Sequence, residues 1–315
     1  MNKETVNNNP NNDLHAKGES NNSFYTDNNN SLDSGNDANN SNKLSNLLSK
    51  EITFEDISTK IKFNRKRIHN MGFLNTFWLK LIAIICMTID HVGACLGISY
   101  INGSNYLSNF MDYETYTLLR TIGRLAFPIF CYMIVEGFFY TRSVLNYTVR
   151  LLIFALISQI PFSLMLYREP FLFSEGLNVY FTLSIGLIAI AGIDYFLQMS
   201  KKGDIPKPIF VLLSAVIIIS ATTFADTIKT DYAGYGVLVI LIFYIFKDKP
   251  LLTFLALYLA TYHMSNNMEM YALYALIPIL LHNHKKGPSM KYFFYAYYPA
   301  HMLVLYFIWA AIASH

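Results

Sequence analysis

The chain has 315 residues, of which 53% are apolar and 14% charged, with a formal net charge of +3 and a mean hydropathy of +0.30. Soluble domains with a solvated surface rarely reach that hydropathy, so the composition argues against an ordinary cytosolic enzyme. The net charge is small and the basic residues are dispersed, so nothing supports nucleic-acid binding.

Residues 1–72 differ in composition from the rest of the chain. The first 50 residues contain 16 asparagines together with scattered Ser, Asp and Gly. Such a segment cannot bury enough apolar surface to offset the entropy lost on ordering. It also lacks the basic start and the apolar stretch of a secretory signal. We therefore predict a disordered, Asn/Ser-rich cytoplasmic tail over 1–72.

Nine apolar stretches follow the tail, each near the roughly 20 residues that a bilayer-spanning helix needs. They are residues 78–98, 117–140, 148–167, 178–198, 208–225, 232–246, 250–264, 267–282 and 292–313. The pattern predicts an all-α fold, a polytopic membrane helix bundle with about nine transmembrane helices.

Lysines and arginines between these stretches predict the orientation, because such residues concentrate on the cytoplasmic side of membrane proteins. With the tail in the cytoplasm, the nine-span arrangement puts fifteen basic residues inside, from Lys60 to Lys291, and two outside, Arg168 and Lys229. If one of the middle spans were miscounted, the basic residues after it would change sides and this difference between the two sides would be lost. We therefore expect a cytoplasmic N-terminus.

The first two predicted spans carry charged residues that are costly in a bilayer and that persist mainly where they pair or line a polar cavity. At a rise of 1.5 Å per residue, Asp90 lies about 15 Å beyond Lys80 and hence near mid-bilayer. Arg120 and Arg124 are four residues apart and share one helix face, with Glu136 further along the same span. Asp90 is their nearest candidate partner. The cluster is thus either a buried ion pair that joins the two spans or a polar cavity for catalysis.

Two histidines in predicted spans accompany this cluster. His91 follows Asp90 directly, and because adjacent helix residues point about 100° apart, Asp90 could serve a different histidine. His301 lies in the last span, two residues after Pro299, where a proline can bend the helix. A lone intramembrane histidine usually forms a helix-packing hydrogen bond, but here a role as general base is equally open.

Arg142 and Arg150 flank the short connection between the second and third spans. The positive-inside rule explains both arginines. Two arginines beside a membrane cavity could also hold the phosphates of a cytosolic donor.

No motif for metal or nucleotide chemistry is present. The three cysteines, Cys86, Cys95 and Cys131, lie in apolar segments and show no metal-ligand spacing. The chain has no Walker loop, no H-E-x-x-H and no G-x-G-x-x-G. We therefore expect no metal cofactor.

A series of short motifs, each weak alone, resembles the TraX family in its order along residues 76–312. The motifs are Met87-Thr88-Ile89-Asp90-His91, Ile122-Gly123-Arg124-Leu125-Ala126-Phe127-Pro128, Glu136-Gly137, Thr141-Arg142, Ser158-Gln159-Ile160-Pro161-Phe162, Asp231-Tyr232 and Tyr298-Pro299-Ala300-His301. The asparagine-rich tail lies outside the resemblance, which divides the chain into the tail and a TraX-like transmembrane acyltransferase domain at 73–315.

The resemblance implies a multi-pass acyltransferase of the bacterial inner membrane. The family's namesake is required for acetylation of the N-terminus of conjugative pilin, and related multi-span enzymes take acetyl groups from cytosolic acetyl-CoA. The donor would then meet Arg142 and Arg150 from the cytoplasm, and the acceptor would approach Asp90 and Arg120 from outside. Acetyl-CoA is the implied acyl donor.

The mechanism we expect uses His91, or else His301, to remove a proton from the acceptor as it attacks the thioester. Asp90 would orient that base, and Arg120 or Arg124 would stabilise the developing oxyanion. The partners are membrane lipid and an acceptor that could be a peptide, a glycan or a lipid head group.

Two other classes of function stay open on the sequence. Intramembrane Asp, His and Arg also build the sites of secondary transporters, although the two halves show no paired, similarly interrupted segments. A passive assembly partner of another membrane complex would use the polar cluster only to hold helices together.

Overall fold

A computed structural model describes residues 72–101, 104–107, 110–170, 175–247, 249–263 and 267–314. Apart from Gly72, the predicted tail therefore lies outside the described residues. The described part is mainly helical, with one short antiparallel hairpin in which Ile98 pairs with Leu107.

The helices and strands follow one another along the chain with short connections. They are α1 Thr76–Gly97, β1 Ile98–Ile101, β2 Ser104–Leu107, α2 Tyr113–Gly123, α3 Ala126–Tyr140, α4 Val144–Tyr167, α5 Val179–Lys202, α6 Lys207–Thr227, α7 Ala233–Ile245, α8 Pro250–His263, a 3-10 helix Asn267–Ala275, α9 Leu276–Leu280 and α10 Lys291–Ala313.

Six helical segments of the described residues are long and apolar enough to cross a membrane, and they mark the chain as a membrane protein. They are Thr76–Gly97, Tyr113–Tyr140, Val144–Tyr167, Val179–Lys202, Lys207–Thr227 and Tyr292–Ala313. The prediction of nine spanning helices is not confirmed. The stretches predicted at 232–246, 250–264 and 267–282 are helical, but they form the shorter α7, α8 and the 3-10 helix with α9.

Polar side chains at the helix starts explain where several helices begin. Asn75 accepts hydrogen bonds from the backbone amides of Phe77 and Trp78 at 3.0 and 3.1 Å, and thereby caps α1. Asp112 caps α2 through the amide of Thr115, and Ser143 caps α4 in the same way. These caps satisfy backbone donors that a helix start leaves without a partner.

Proline explains why the second predicted span is two helices. Pro128 has no backbone N–H, and its ring would clash with the carbonyl of Arg124 in a continuous helix. The structure ends α2 at Gly123 and begins α3 at Ala126, so Pro128 falls in the first turn of α3, where a proline is tolerated. Arg124 and Leu125 form the interruption.

The short α7 is the centre of the bundle. Val237, Val239, Ile240 and Leu241 are completely buried, and the helix packs against α3, α5 and α6. A helix that is apolar on all sides is stable when protein surrounds it. In contrast, α6 exposes apolar residues such as Leu212 and Ile219 along its length, as a lipid-facing helix does.

Candidate functional site

Two of the cavities among the described helices are lined by charged side chains. The Asp90 cavity has a volume of about 100 Å³ and is lined by Asp90, His91, Arg120, Arg124 and Asp231, among others. The Glu136 cavity is larger, about 350 Å³, and its lining includes Glu136, Arg150, His282 and His284. Most of the residues that the sequence singled out line one of these two cavities.

A network of charged residues forms one wall of the Asp90 cavity. Arg120 Nη1 donates to Asp90 Oδ2 at 2.6 Å, and Arg124 Nη2 lies 3.8 Å from Asp90 Oδ1. Arg124 Nη1 also donates to Glu269 Oε1 at 2.7 Å. The side chains of Asp90, Arg124 and Glu269 are buried, so two cations and two anions compensate each other there. The ion pair between Asp90 and the arginines, one of the two alternatives that the sequence left open, is thus present.

Gly123 allows this network to form, because it lies directly against Asp90. A Cβ atom on Gly123 would overlap the Asp90 carboxylate and its Cβ. The glycine therefore lets α1 and α2 approach closely enough for both arginines to reach Asp90.

We expect Gly123→Ala to destabilise the protein by about 1–3 kcal/mol, as overpacked sites do. Thermal unfolding in detergent measures the effect. Gly192→Ala is the matched control, because a methyl group there would meet only the end of Ile217 and should leave the melting temperature unchanged or higher. An unchanged melting temperature in Gly123→Ala would refute this role of Gly123.

His91 and His301 form a hydrogen-bonded pair. His91 Nδ1 lies 2.7 Å from His301 Nε2, and His301 Nδ1 lies 2.8 Å from the carbonyl oxygen of Tyr297. Among the described residues, the hydrogen-bond partner of His91 is thus His301, whereas the carboxylate of Asp90 faces arginines. The geometry gives His301 the orienting position that the sequence analysis assigned to Asp90.

The Tyr297 carbonyl determines which nitrogens of the pair carry protons. Since a carbonyl only accepts, His301 Nδ1 must donate to it. A neutral His301 then accepts at Nε2 from His91 Nδ1–H, which leaves the lone pair on His91 Nε2. His91 lines the Asp90 cavity. A general base needs this arrangement of an oriented imidazole with one unprotonated nitrogen.

The segment between α6 and α7 completes the Asp90 cavity. Tyr232 and Ala233 have φ angles of 61° and 45°, an uncommon conformation for residues other than glycine. The Asp231 amide donates to the carbonyl of Leu177 at 2.7 Å, and the Tyr232 ring stacks on Phe127 at 3.7 Å. These contacts hold Asp231 against the charged network.

Burial raises the pKa of Asp231 to about 6, although Arg124 opposes the shift. Between pH 3.8 and about pH 6, the Asp231 carboxyl therefore keeps its proton in the folded chain, whereas the same carboxyl in the unfolded chain has released it. This group stabilises the protein at lower pH and loses its contribution as the pH rises through 6.

At pH 5 we expect the wild type to melt at a higher temperature than Asp231→Asn. This difference should be smaller at pH 7.5. The difference should change by roughly 2–5 °C, and the asparagine variant should lack this component of the pH dependence. Thermal unfolding in one detergent at both pH values measures it. Parallel pH profiles for the two proteins would contradict the assignment.

Cationic side chains line the Glu136 cavity. Lys80, Arg150 and Lys286 belong to its lining, and the Arg150 guanidinium lies 5.8 Å from the centre of the Tyr147 ring. Arg142, which the sequence analysis placed with Arg150, is exposed and outside the lining. The reason is that α3 ends at Tyr140, so Arg142 falls in the turn before α4, whereas Arg150 lies two turns inside α4.

Phe130 lines both cavities, so they share a wall at this side chain. Tyr180 of the Glu136 cavity also meets Tyr298 of the Asp90 cavity edge to face, with ring centres 4.9 Å apart. A group in one cavity is therefore separated from the other by aromatic side chains.

The sequence analysis missed three polar residues: Glu269, which pairs with Arg124, and His282 and His284, which line the Glu136 cavity. Glu269 is the carboxylate of the predicted span 267–282, and an acid in a predicted span was a usable signal. His282 and His284 have the spacing His-x-His, and with Glu136 they place one ligand atom each within 4.8 Å of one another. Glu136, His282 and His284 could together hold a metal ion.

Comparisons with known proteins give one family match and a curated relative. The family model described as "TraX protein" matches residues 76–309. A curated protein named "Probable fimbrial assembly protein FimC, serogroup H1", from Dichelobacter nodosus, is 28% identical over 260 residues, covering 75% of this chain and 96% of that protein. No solved structure matches the chain significantly.

Proposed function

The chain belongs to the TraX family, and from this premise we propose that it is an integral membrane acyltransferase. The donor is acetyl-CoA, and the acceptor is an amine or a hydroxyl. The enzyme lies in the bacterial inner membrane with its N-terminus in the cytoplasm. The basic residues around the first spanning helices favour this orientation, because Arg142 follows the second helix and Lys201 and Lys202 end the fourth.

The observation that carries the proposal is the hydrogen-bonded series from the Tyr297 carbonyl through His301 to His91. It leaves the Nε2 atom of His91 unprotonated, and His91 lines a cavity together with Arg120 and Arg124. A base and cations next to one small cavity are the groups that acyl transfer needs.

In the reaction, the nitrogen or oxygen of the acceptor attacks the thioester carbonyl carbon while its proton passes to His91 Nε2. Negative charge develops on the carbonyl oxygen, and Arg120, which is only partly buried, stabilises it. The carbon–sulfur bond then breaks, the acetyl group stays on the acceptor, and the CoA sulfur leaves with the proton from His91. His301 keeps the His91 ring in one orientation and one tautomer throughout.

The Glu136 cavity is the site we assign to the donor. Lys80, Arg150 and Lys286 supply positive charge for the phosphates of CoA. A thioester held in this cavity would enter the neighbouring Asp90 cavity at the wall that Phe130 forms between them.

A subunit of a surface fibre is the acceptor to test first. The relative from Dichelobacter nodosus carries a name that refers to fimbrial assembly, and the family's namesake serves pilin acetylation. We therefore propose a role in the modification or assembly of pili or fimbriae.

Acetyl-CoA labelled in its acetyl group tests the proposal directly. Purified protein in nanodiscs is incubated with the donor and a pilus or fimbrial subunit as acceptor, and both CoA release and label on the acceptor are followed. We expect turnover in the wild type and its loss in His91→Ala. Arg150→Ala should weaken donor binding far more than Arg142→Ala, since Arg150 lines the cavity and Arg142 lies outside it.

Two results would refute the acyltransferase. Folded wild-type protein that neither binds the donor nor releases CoA would do so, and uptake of a labelled solute without chemical change would point to a transporter.

A further inference from the structure

A second group of titratable side chains lies apart from the Asp90 network, at the Glu136 cavity. Glu136 belongs to the last turns of α3, and His282 and His284 follow α9. His284 Nδ1 lies 3.2 Å from Glu136 Oε2, and the ring centres of the two histidines are 4.9 Å apart. Glu136 and His282 are buried, and all three residues line the cavity.

We propose that Glu136, His282 and His284 bind a divalent metal ion of the zinc class, with an open coordination position toward the Glu136 cavity. This site is separate from the charged network at Asp90 and from the base at His91.

The spacing of the three ligand atoms fits one ion. Ligand atoms about 2.1 Å from a tetrahedral ion are about 3.4 Å apart. The structure has 3.2 Å between Glu136 Oε2 and His284 Nδ1, and the three ligand atoms lie within 4.8 Å of one another. Movements of the side chains alone can therefore bring them to coordination distance.

The chemical type of the ligands selects the ion. Two imidazoles and one carboxylate suit zinc and the neighbouring transition metals, whereas calcium and magnesium prefer oxygen ligands. Three protein ligands with a free fourth position are the arrangement of metal sites that bind a further ligand. One carboxylate against a divalent ion leaves a positive charge, which adds to Lys80 and Arg150 in the same cavity.

Contacts behind the ligands hold His282 in place. Its Nδ1 lies 2.9 Å from the Tyr132 hydroxyl, and its Nε2 lies 3.1 Å from the Thr76 hydroxyl. Coordination replaces one of these hydroxyls, and the other remains to orient the ring, as the partner of a metal-bound histidine usually does.

The backbone around the two histidines is also fixed. Leu74 bonds to Leu281 and Asn283, and the Thr76 amide donates to the Lys285 carbonyl at 2.8 Å. His284 has a φ of 57°, an uncommon backbone conformation that persists only where surrounding contacts enforce it. The start of α1 thus holds 281–285 in the geometry that faces Glu136.

Metal analysis of the purified full-length protein tests the site, with an affinity tag that contains no histidine. After equilibration with zinc and removal of free ion, we expect one zinc per chain by mass spectrometry. Glu136→Gln and His284→Gln should each lower the affinity by about 10–100-fold or more, measured by competition with a chromophoric chelator. His263→Gln is the matched control, because His263 is exposed on α8, and it should bind zinc like the wild type.

The cobalt spectrum of the wild type gives a second measurement that needs no variant. Cobalt bound by two imidazoles and a carboxylate should give visible absorption bands that zinc displaces. Folded wild-type protein without zinc and without these bands would overturn the proposal, as would equal zinc affinity in Glu136→Gln and the wild type. The readout contains no acyl donor, so its failure and the failure of the proposed acyl transfer can be told apart.

Discussion

His91→Gln should lower the rate of acyl transfer by about 10²–10⁴-fold, the range that general acid–base groups contribute. The hydrogen bond from His91 Nδ1 to His301 leaves His91 Nε2 free to take the acceptor's proton, and glutamine offers no such base. Donor binding should change little, because His91 lines the Asp90 cavity and lies outside the lining of the Glu136 cavity.

His301→Gln and His301→Ala separate the base from the residue that positions it. Glutamine can still accept the proton of His91 Nδ1–H and should preserve more activity than alanine, which leaves the His91 tautomer undetermined. Single-turnover rates at matched protein abundance in nanodiscs measure both variants. Full acyl transfer by folded His91→Gln would refute the assignment of His91 as the base. If His91→Gln is active and His301→Gln is inactive, His301 is the base.

Asp90→Asn should destabilise the protein by up to about 3–5 kcal/mol, because it leaves the partly buried Arg120 without its carboxylate partner. Arg124 keeps Glu269 and should be affected less. Thermal unfolding in detergent and abundance in the membrane measure the loss. Asp204→Asn, at an exposed carboxylate, is the control and should stay within about 0.5 kcal/mol of the wild type.

The double variant Asp90→Asn with Arg120→Gln tests the cause. Removing both charges should recover part of the stability, since no uncompensated guanidinium then remains at this position. A double variant as unstable as the sum of its single variants would mean that packing, and not charge compensation, accounts for the loss. Acyl transfer by a stable Asp90 variant would confine Asp90 to a structural role.

The membrane character and the family followed from the sequence. Long apolar stretches have one stable solution in a bilayer, the helix, because each backbone polar group must be satisfied within the segment. The ordered motifs likewise predicted the TraX family, and the match over residues 76–309 confirms it. The pairing of Asp90 with Arg120 and Arg124 was also predictable, since isolated charges are so costly in lipid that they seek each other.

The number of spanning helices was not predictable from hydropathy. The count treats every apolar stretch alike, although an apolar helix can be surrounded by lipid or by protein. Val237 and Leu241 of α7 are completely buried, so most of this 13-residue helix is covered by its neighbours, and Ile245 at its end is exposed. The sequence carries no separate signal for these two environments.

The assignment of roles within the site depended on the tertiary structure. Asp90 and His91 are adjacent in sequence, yet their partners lie 30 and 210 residues away, at Arg120 and His301. His282 and His284 meet Glu136 across 146 residues or more of chain, although the sequence offered only their spacing. The sequence determined which residue types must be buried together, because burial of charge is costly everywhere. Which of them touch was decided by helix packing, since contacts between distant segments depend on how whole helix faces fit together.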